Sequence, residues 1–298
     1  MKIHYLALSA VLLSACAPMG SLVKESALGL TERDGREHFT FAGELPADFG
    51  IEVSARYYPL NPERCQTFSM GSGDYVVRDG YKQFETGINS KPAKFSFDIP
   101  LSRHIGLCNM QLGRIAFLME GRYGEESWQR HGDHGVIGIA ETRPEWAPQF
   151  DEQGTQRMRG YCTWAFQISK LRLELSKLLN CSRTDATWGQ EADPYKRRSI
   201  GLTVGLDELP GKTVLLDMRV DPHERPATRE TWIKFPEGWK PCAEEEVESG
   251  TWIWCRNPPT FRTFKMNGQE CTVYPGCHEA AGDQSFHGRR DESGVSID

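Results

Sequence analysis

The sequence has no apolar run of the length that a membrane-spanning helix needs. Such a helix takes about 20 consecutive apolar residues, whereas the mostly apolar segment at the start runs only from Ile3 to Ala15. One basic residue, Lys2, precedes this segment, and small residues end it. This arrangement is typical of a secretory signal peptide, so we expect residues 1–15 to direct export of the chain.

Signatures of common catalytic and nucleotide-binding sites are also absent from the sequence. There is no G-x-S-x-G nucleophile motif and no G-x-x-x-x-G-K-[ST] phosphate-binding loop. No G-x-G-x-x-G motif leads from a strand into a helix. We therefore predict a binding protein that is not an enzyme, without catalytic residues and without a cofactor.

Basic residues are too few for a protein that binds nucleic acid. The 298-residue chain contains 35 Lys and Arg against 41 Asp and Glu, and removal of residues 1–15 would take away Lys2 and no acidic residue. The mature chain would then carry 34 basic and 41 acidic residues, a formal charge of −7. Because phosphate recognition needs a basic surface, we expect a protein partner and no nucleic acid.

Residues 13–16 (Leu-Ser-Ala-Cys) resemble the lipobox of bacterial lipoproteins. In that family the bond before the cysteine is cleaved and the cysteine carries diacylglycerol and palmitate, which implies that Cys16 is lipidated and anchors the chain to a membrane. Ala17 in place of Asp implies the outer membrane, with the protein facing the periplasm. Stable anchoring takes more than one acyl chain, at about 0.8 kcal/mol per buried CH₂. The alternative is an ordinary signal peptide with an incidental cysteine.

The eight other cysteines are expected to form disulfides, because an even number of cysteines in an exported chain is typical of a disulfide framework. Eight cysteines allow on the order of a hundred connectivities, and the sequence alone does not choose among them. We predict sequential pairing, since each bond then closes a local loop. The predicted bonds are Cys65–Cys108, Cys162–Cys181, Cys242–Cys255 and Cys271–Cys277. Zinc is the alternative, but the chain has no CxxC pair and no spacing of a structural zinc site.

Short alternating segments predict a mostly β protein with two disulfide-stapled antiparallel units, each resembling a sandwich. In the first unit, residues 37–146, the alternation of Phe95, Phe97 and Ile99 places one face of a strand in a core. The predicted strands of this unit are 38–41, 51–59, 94–101, 114–124 and 136–141. The second unit spans residues 161–280, with predicted strands at 162–168, 171–175, 200–206, 213–220, 231–235 and 251–255.

Leucines after the first strand of the second unit fit two interpretations. Leu171, Leu173 and Leu175 alternate as in a strand. The same segment offers Leu171, Leu175, Leu178 and Leu179 at helical spacing. We favour a hairpin stapled by Cys162–Cys181, and a helix is the alternative.

Three segments that lack apolar periodicity are expected to lie outside the two units. Residues 16–36 would form a polar tether, residues 147–160 a linker between the units, and residues 281–298 a disordered tail. Polar composition without an apolar face leaves such segments too little surface to bury.

The segment HGDHG (131–135) contains the side chains best suited to metal binding. His131, Asp133 and His134 are chemically suitable ligands. Histidines three residues apart share a face only on a helix, and the glycines favour a turn. We therefore predict a surface turn here and no metal site.

The segment EEEVE (244–248) is an acidic run between Cys242 and Cys255. A solvated loop is the simpler interpretation. The alternative is a stapled acidic loop that binds a basic partner, because a local disulfide lowers the ordering cost of binding and opposite charge speeds encounter. The candidate partner-binding residues are Glu244, Glu245, Glu246 and Glu248.

Several segments resemble a family of lipoproteins of enterobacteria and pseudomonads. They are FSFDIPL…C (95–108), GYCTWAFQISKLRLELSKLLNC (160–181), DELPGKTVLLDMRV (207–220), ERPATRETWIKFPEGWKPC (224–242) and FRTFKMNGQECTVYPGC (261–277). The resemblance covers most of the mature chain and includes its eight cysteines. Members look like the immunity lipoproteins that accompany phospholipase effectors of type VI secretion. The resemblance implies an inhibitor that faces the periplasm and blocks an incoming lipase. The alternatives are an envelope assembly or scaffold lipoprotein and an envelope hydrolase with an unrecognised site.

Overall fold

The computed structural model describes residues 31–69, 71–189, 193, 195–196, 198–246 and 252–278. Strands account for 59% of the structure and helices for 3%, which confirms the predicted mostly β fold. No helix among the described residues combines the length and the apolar character that crossing a membrane requires. The predicted signal peptide, the lipidation site Cys16 and the predicted tail 281–298 lie outside the described residues.

The strands are numbered in chain order and form two large sheets and four ribbons. The first sheet contains β1 (Arg33–Asp34), β3 (Phe49–Pro59), β6 (Gly80–Asn89), β8 (Ser102–Ile105), β9 (Cys108–Arg122), β10 (Arg130–Ala140) and β13 (Ile200–Gly205). The second sheet contains β2 (His38–Leu45), β7 (Ala93–Pro100), β11 (Thr155–Ile168), β12 (Leu175–Arg183), β14 (Thr213–Val220) and β15 (Arg225–Pro226).

The ribbons are pairs of short strands that follow one another along the chain. They are β4 (Gln66–Ser69) with β5 (Asp74–Val77), β16 (Trp232–Phe235) with β17 (Gly238–Pro241), β18 (Glu244–Glu246) with β19 (Trp252–Trp254), and β20 (Phe264–Met266) with β21 (Gln269–Cys271). Single turns of 3₁₀ helix occupy Pro62–Arg64 and Leu206–Glu208.

The chain divides into two compact units, and the division differs from the predicted halves. Among the described residues, unit 1 contains those within 31–125, 130–162 and 179–221, and unit 2 contains those within 126–129, 163–178 and 222–278. The difference arises because β14 pairs in parallel with β2 and β13 pairs in parallel with β10. Parallel pairing needs a long crossover connection, so strands from the second predicted half complete sheets that begin in the first.

Aromatic side chains form the core of unit 1 between the two large sheets. Phe39 and Phe41 alternate on β2 and are fully buried, as the pattern HFTF predicts. The Phe41 ring lies 5.4 Å from Phe95 of the same sheet and 5.4 Å from Phe117 of the other sheet. The two sheets therefore face each other across buried rings in a sandwich-like arrangement.

The predicted hairpin of β11 and β12 is confirmed, and the helical alternative is wrong. The Ser169 N–H donates to the Glu174 carbonyl at 2.9 Å, and Cys162 bonds to Cys181 with their Cα atoms 3.9 Å apart. However, the predicted strand 171–175 lies mostly in the connecting loop, and β12 begins only at Leu175. Leu173 has a φ of +56°, which interrupts the strand, so Leu171 and Leu173 are exposed and only Leu175, at the start of β12, is buried.

The segment HGDHG lies inside strand β10 and is not the predicted turn. Its glycines are required by packing, because a Cβ at Gly135 would overlap the Phe117 ring. His131 Nδ1 accepts the backbone N–H of Leu179 at 3.1 Å. Asp133 Oδ2 accepts the backbone N–H of Cys181 at 2.7 Å. These side chains occupy donors along an edge of β12, which would otherwise be open to pairing.

We expect Asp133→Ala to lower the free energy of unfolding by about 1–3 kcal/mol, because the N–H of the buried Cys181 would lose its acceptor. Asp133→Asn keeps one oxygen in place and is expected to cost less. Denaturant unfolding measures the free energy, and hydrogen exchange reports the Cys181 amide directly. Equal exchange in the wild type and the alanine variant would contradict this role.

The end of the predicted tether and the end of the predicted linker belong to the fold. Residues 33–34 form β1 against β8, and Arg103 Nε donates to Asp34 Oδ1 at 3.0 Å. Residues 155–160 of the predicted linker lie in β11, after a turn in which Asp151 Oδ1 accepts the Thr155 N–H at 2.7 Å. Ion pairs and turn hydrogen bonds hold these two segments in the fold. Such contacts do not need apolar residues at regular spacing, so the sequence shows no strand pattern there.

Candidate partner-binding surface

The eight cysteines of the described fold are joined in the predicted order. The four bonds are Cys65–Cys108, Cys162–Cys181, Cys242–Cys255 and Cys271–Cys277. They span 43, 19, 13 and 6 residues of sequence. Each bond of this kind contributes about 2–4 kcal/mol by restricting the unfolded chain.

The first of these bonds holds the ribbon of β4 and β5, which interrupts the hairpin of β3 and β6. We call residues 65–78 the stapled ribbon. Within the part of the chain that the structure describes, β4 and β5 pair with each other and with no third strand. The Arg78 N–H donates to the Cys65 carbonyl at 2.7 Å, and Cys65 is bonded to Cys108 at the start of β9. The root of the ribbon is thereby fixed to unit 1.

Strand β5 of the stapled ribbon presents apolar side chains to solvent. All four residues of β5 are exposed, and Tyr75 keeps 59% of its surface accessible. Val76 and Val77 follow it and are also exposed. The Tyr75 ring meets Phe68 of β4 edge to face, with centroids 5.6 Å apart. An exposed edge strand of this composition is a ready site for pairing or apolar contact with another chain.

A cluster of two tyrosines and one arginine lies on the exposed face of the neighbouring strands. We call Tyr58, Arg56 and Tyr81 the tyrosine–arginine cluster. Arg56 of β3 stands opposite Tyr81 of β6 in the ladder. Its guanidinium lies 5.0 Å from the Tyr58 ring and 5.6 Å from the Tyr81 ring. The rings therefore hold the cation between them.

Asp79 fixes the orientation of this arginine. Arg56 Nε donates to Asp79 Oδ2 at 3.0 Å, and Arg56 Nη2 contacts the same oxygen. The hydrogen bond with Asp79 raises the pKa of Arg56 above its ordinary value. Tyr81 is 53% exposed and follows Asp79 by two residues in the sequence. Asp79 itself follows Arg78, the last residue of the stapled ribbon, so the tyrosine–arginine cluster adjoins the root of the ribbon along the chain.

Together the stapled ribbon and the tyrosine–arginine cluster have the composition of a protein-binding surface. Tyrosine and arginine are enriched among the residues that contribute most to binding energy. Their rings and guanidinium are already held by neighbours, so little side-chain entropy remains to be lost on association. The arrangement can therefore bind a complementary surface at low ordering cost.

The predicted acidic site has a different local structure from the one expected. Residues 244–246 form strand β18, which pairs with β19 inside the loop closed by Cys242–Cys255. The segment is therefore a second stapled ribbon, in unit 2, and not an irregular loop. Glu244 is exposed, and Glu248 lies outside the described residues.

The stapled ribbon of unit 1 is missing from the predicted strands, although the sequence carries a signal for it. Thr67–Ser69 and Tyr75–Val77 are short runs with β propensity on either side of Gly71-Ser72-Gly73. Such a pattern predicts a hairpin. The apolar residues Tyr75, Val76 and Val77 are consecutive and exposed, so they lack the alternation that identifies a half-buried strand.

Two buried tyrosines have the most perturbed ionisation, and both have structural roles. Burial raises the pKa of Tyr57, whose hydroxyl donates to the Pro100 carbonyl at 2.9 Å. Burial also raises the pKa of Tyr274, whose hydroxyl donates to Glu224. Lys177 Nζ lies 2.7 Å from the other oxygen of Glu224. Both tyrosine hydroxyls stay protonated, and their hydrogen bonds join segments that are far apart in the sequence.

No group of three or more His, Cys, Asp or Glu side chains suited to hold a metal ion occurs among the described residues. The chain matches no protein-family model. Comparisons with curated proteins and with solved structures gave no significant match. The family resemblance and the function that it implies therefore stay predictions, and the binding surface is assigned from its own geometry.

Proposed function

We propose that this protein is a membrane-tethered immunity protein of the periplasm that binds and blocks a type VI secretion effector. The observation that carries a binding role is the stapled ribbon with exposed Tyr75, Val76 and Val77 beside the tyrosine–arginine cluster. The type of effector, a phospholipase, comes from the resemblance of the sequence to immunity lipoproteins.

The shape of the stapled ribbon suits inhibition of an enzyme. Paired strands lie about 4.8 Å apart, so a two-stranded ribbon is narrow enough to enter an active-site cleft. The bond between Cys65 and Cys108 fixes its root, which reduces the entropy lost when it inserts. We propose that the ribbon enters or covers the mouth of the effector's active site.

A lipid on Cys16 would place this inhibitor where a phospholipase acts. Residues 16–30 would link the lipid to the described fold, which begins with the segment that contains β1. Confinement near the membrane raises the effective concentration of the inhibitor at the surface that the effector attacks. The disulfides suit the oxidising periplasm.

We call the ribbon of β18 and β19 in unit 2 the acidic ribbon, and we propose that it makes a second, electrostatic contact with the effector. We expect Glu244→Lys combined with Glu246→Lys to slow association with the effector several-fold at low ionic strength, because opposite charges steer encounter. Stopped-flow kinetics at low and high salt measures this effect. Glu145→Lys combined with Glu152→Lys changes the net charge equally and serves as the control. An association rate equal to that of the control would remove the acidic ribbon from the proposal.

The experiment that tests the function is capture followed by inhibition. Residues 17–298, oxidised and without lipid, are immobilised, and bound proteins from a lysate of the same strain are identified by mass spectrometry. We expect a secreted phospholipase as the dominant partner and loss of its activity on titration with the purified protein. Recovery of resident envelope proteins alone would instead support a scaffold lipoprotein. Phospholipid turnover by the purified protein alone would support a hydrolase.

A further inference from the structure

The loop that joins β11 to β12 displays two leucines between basic side chains. We call residues 169–174 the leucine loop. Leu171 is 92% exposed, more than any other large apolar side chain described, and Leu173 is 65% exposed. Lys170 and Arg172 alternate with them and are exposed as well. The loop thus combines apolar side chains with two positive charges, and Glu174 supplies its single negative charge.

Hydrogen bonds to one serine hold the leucine loop in this conformation. Ser169 accepts the N–H of Leu173 through its carbonyl at 2.7 Å and the N–H of Arg172 through its hydroxyl at 3.3 Å. The Ser169 N–H donates to Glu174, which closes the loop. The leucines are therefore presented by an ordered turn.

Leu173 occupies a backbone conformation that leucine rarely adopts. Its φ of +56° lies in the left-handed region, where Gly and Asn are the usual residues. Because Leu173 is 65% exposed, burial of its side chain within unit 2 does not offset the cost of this conformation. Strain of this kind persists where a site needs a particular side chain in a particular place.

A tryptophan lies beside the loop in the same unit. The Arg172 guanidinium sits 4.7 Å from the centre of the Trp128 ring, and Trp128 is half-buried. Tryptophan is enriched at the level of lipid headgroups. Arginine side chains near such a surface lay their stems along apolar material and keep the charge at the phosphates.

We infer that the leucine loop inserts into the surface of a bilayer that contains anionic phospholipids. Leu171 and Leu173 enter the boundary between headgroups and acyl chains, and Lys170 and Arg172 contact the phosphates. Apolar insertion combined with attraction to anionic lipid is the chemistry of interfacial membrane binding. This contact adds to the lipid expected on Cys16 and involves neither the effector nor the stapled ribbon.

The test is sedimentation of the protein with phospholipid vesicles. Residues 17–298 contain every described strand and all four disulfides and carry no lipid, so binding reports the protein surface alone. We expect binding to vesicles of phosphatidylcholine with phosphatidylglycerol, weaker binding to phosphatidylcholine alone, and weakening by salt. Leu171→Ser combined with Leu173→Asn is expected to lower the partition coefficient by about tenfold or more. Asn tolerates the left-handed conformation, so the fold is kept, as circular dichroism can check.

Leu107→Ser is the matched control, because Leu107 is 86% exposed in the turn between β8 and β9 and has no basic neighbour in sequence. We expect its vesicle binding to equal that of the wild type. Absence of binding to anionic vesicles up to millimolar lipid would overturn the inference, as would an equal loss with Leu107→Ser. Unchanged vesicle binding by the double variant, with weaker effector binding, would reassign the loop to a protein contact. The single variant Leu171→Ser, outside the strained position, repeats the test if the double variant misfolds.

Discussion

Replacing Tyr58 and Tyr81 together by alanine is expected to raise the dissociation constant of the complex with the effector by about 30-fold or more. We expect the pair to cost about 2 kcal/mol or more in total, the scale of a central tyrosine or arginine of an interface, and 1.4 kcal/mol corresponds to a factor of ten. The change also removes both rings that hold the Arg56 guanidinium. Calorimetry with the purified effector measures the affinity.

Two further variants separate this binding role from general effects. Tyr58→Phe with Tyr81→Phe keeps the rings around Arg56 and is expected to change the affinity much less than the alanine pair. Trp146→Ala removes an exposed aromatic side chain elsewhere in unit 1 and is expected to leave the affinity unchanged. An alanine pair that binds as tightly as the wild type would show that the effector contacts another face.

Phe41→Ala is expected to lower the free energy of unfolding by about 3–5 kcal/mol. Phe41 is fully buried between the two large sheets of unit 1 and contacts Phe95 and Phe117. Its removal leaves a cavity that neighbours on two paired strands cannot fill without shifting a sheet. Urea unfolding under oxidising conditions measures the loss, with the slope against denaturant as a check that the unfolded state is unchanged.

Phe68→Ala provides the comparison, because Phe68 lies in the stapled ribbon, is only half-buried and packs against the exposed Tyr75. We expect a loss of about 1 kcal/mol or less, the scale of one aromatic pair. A cost for Phe68→Ala as large as that for Phe41→Ala would mean that the ribbon is part of the cooperative core. A loss under 1 kcal/mol for Phe41→Ala would contradict the buried position of this ring.

The part of the fold that the sequence predicts is the part in which each strand buries one face. In β2, β7 and β14 the alternation of apolar and polar residues is local and follows directly from the twofold period of a strand. The four disulfides also follow local order, since each closes a short or moderate loop. These features need no knowledge of which strands become neighbours.

The candidate surface was predicted less well, because exposure is decided by neighbours. The leucines of residues 171–175 alternate like a buried strand, yet Ser169 turns the chain there and leaves Leu171 and Leu173 exposed, whereas Leu175 is buried. Tyr75, Val76 and Val77 look like core residues and are exposed, because β5 pairs only with β4 among the described strands. In both cases apolar residues of the same types are buried when they face a core and exposed when they lie in a loop or at a sheet edge.

By itself the sequence determined the mostly β composition and the location of the strands that bury one face, because these depend on residues close together in the chain. The sequential pairing of the cysteines was predicted from the same local order, and the structure selected it among the other connectivities. Only the tertiary structure decided that β14 joins β2 and β13 joins β10, and that His131 and Asp133 cap an edge of β12. Parallel pairing and edge capping join residues far apart in sequence, and their free energy depends on which surfaces meet. Parallel pairing and edge capping produce no regular spacing of apolar residues in the sequence. The division into two units and the surface open to a partner are therefore visible only in the assembled sheets.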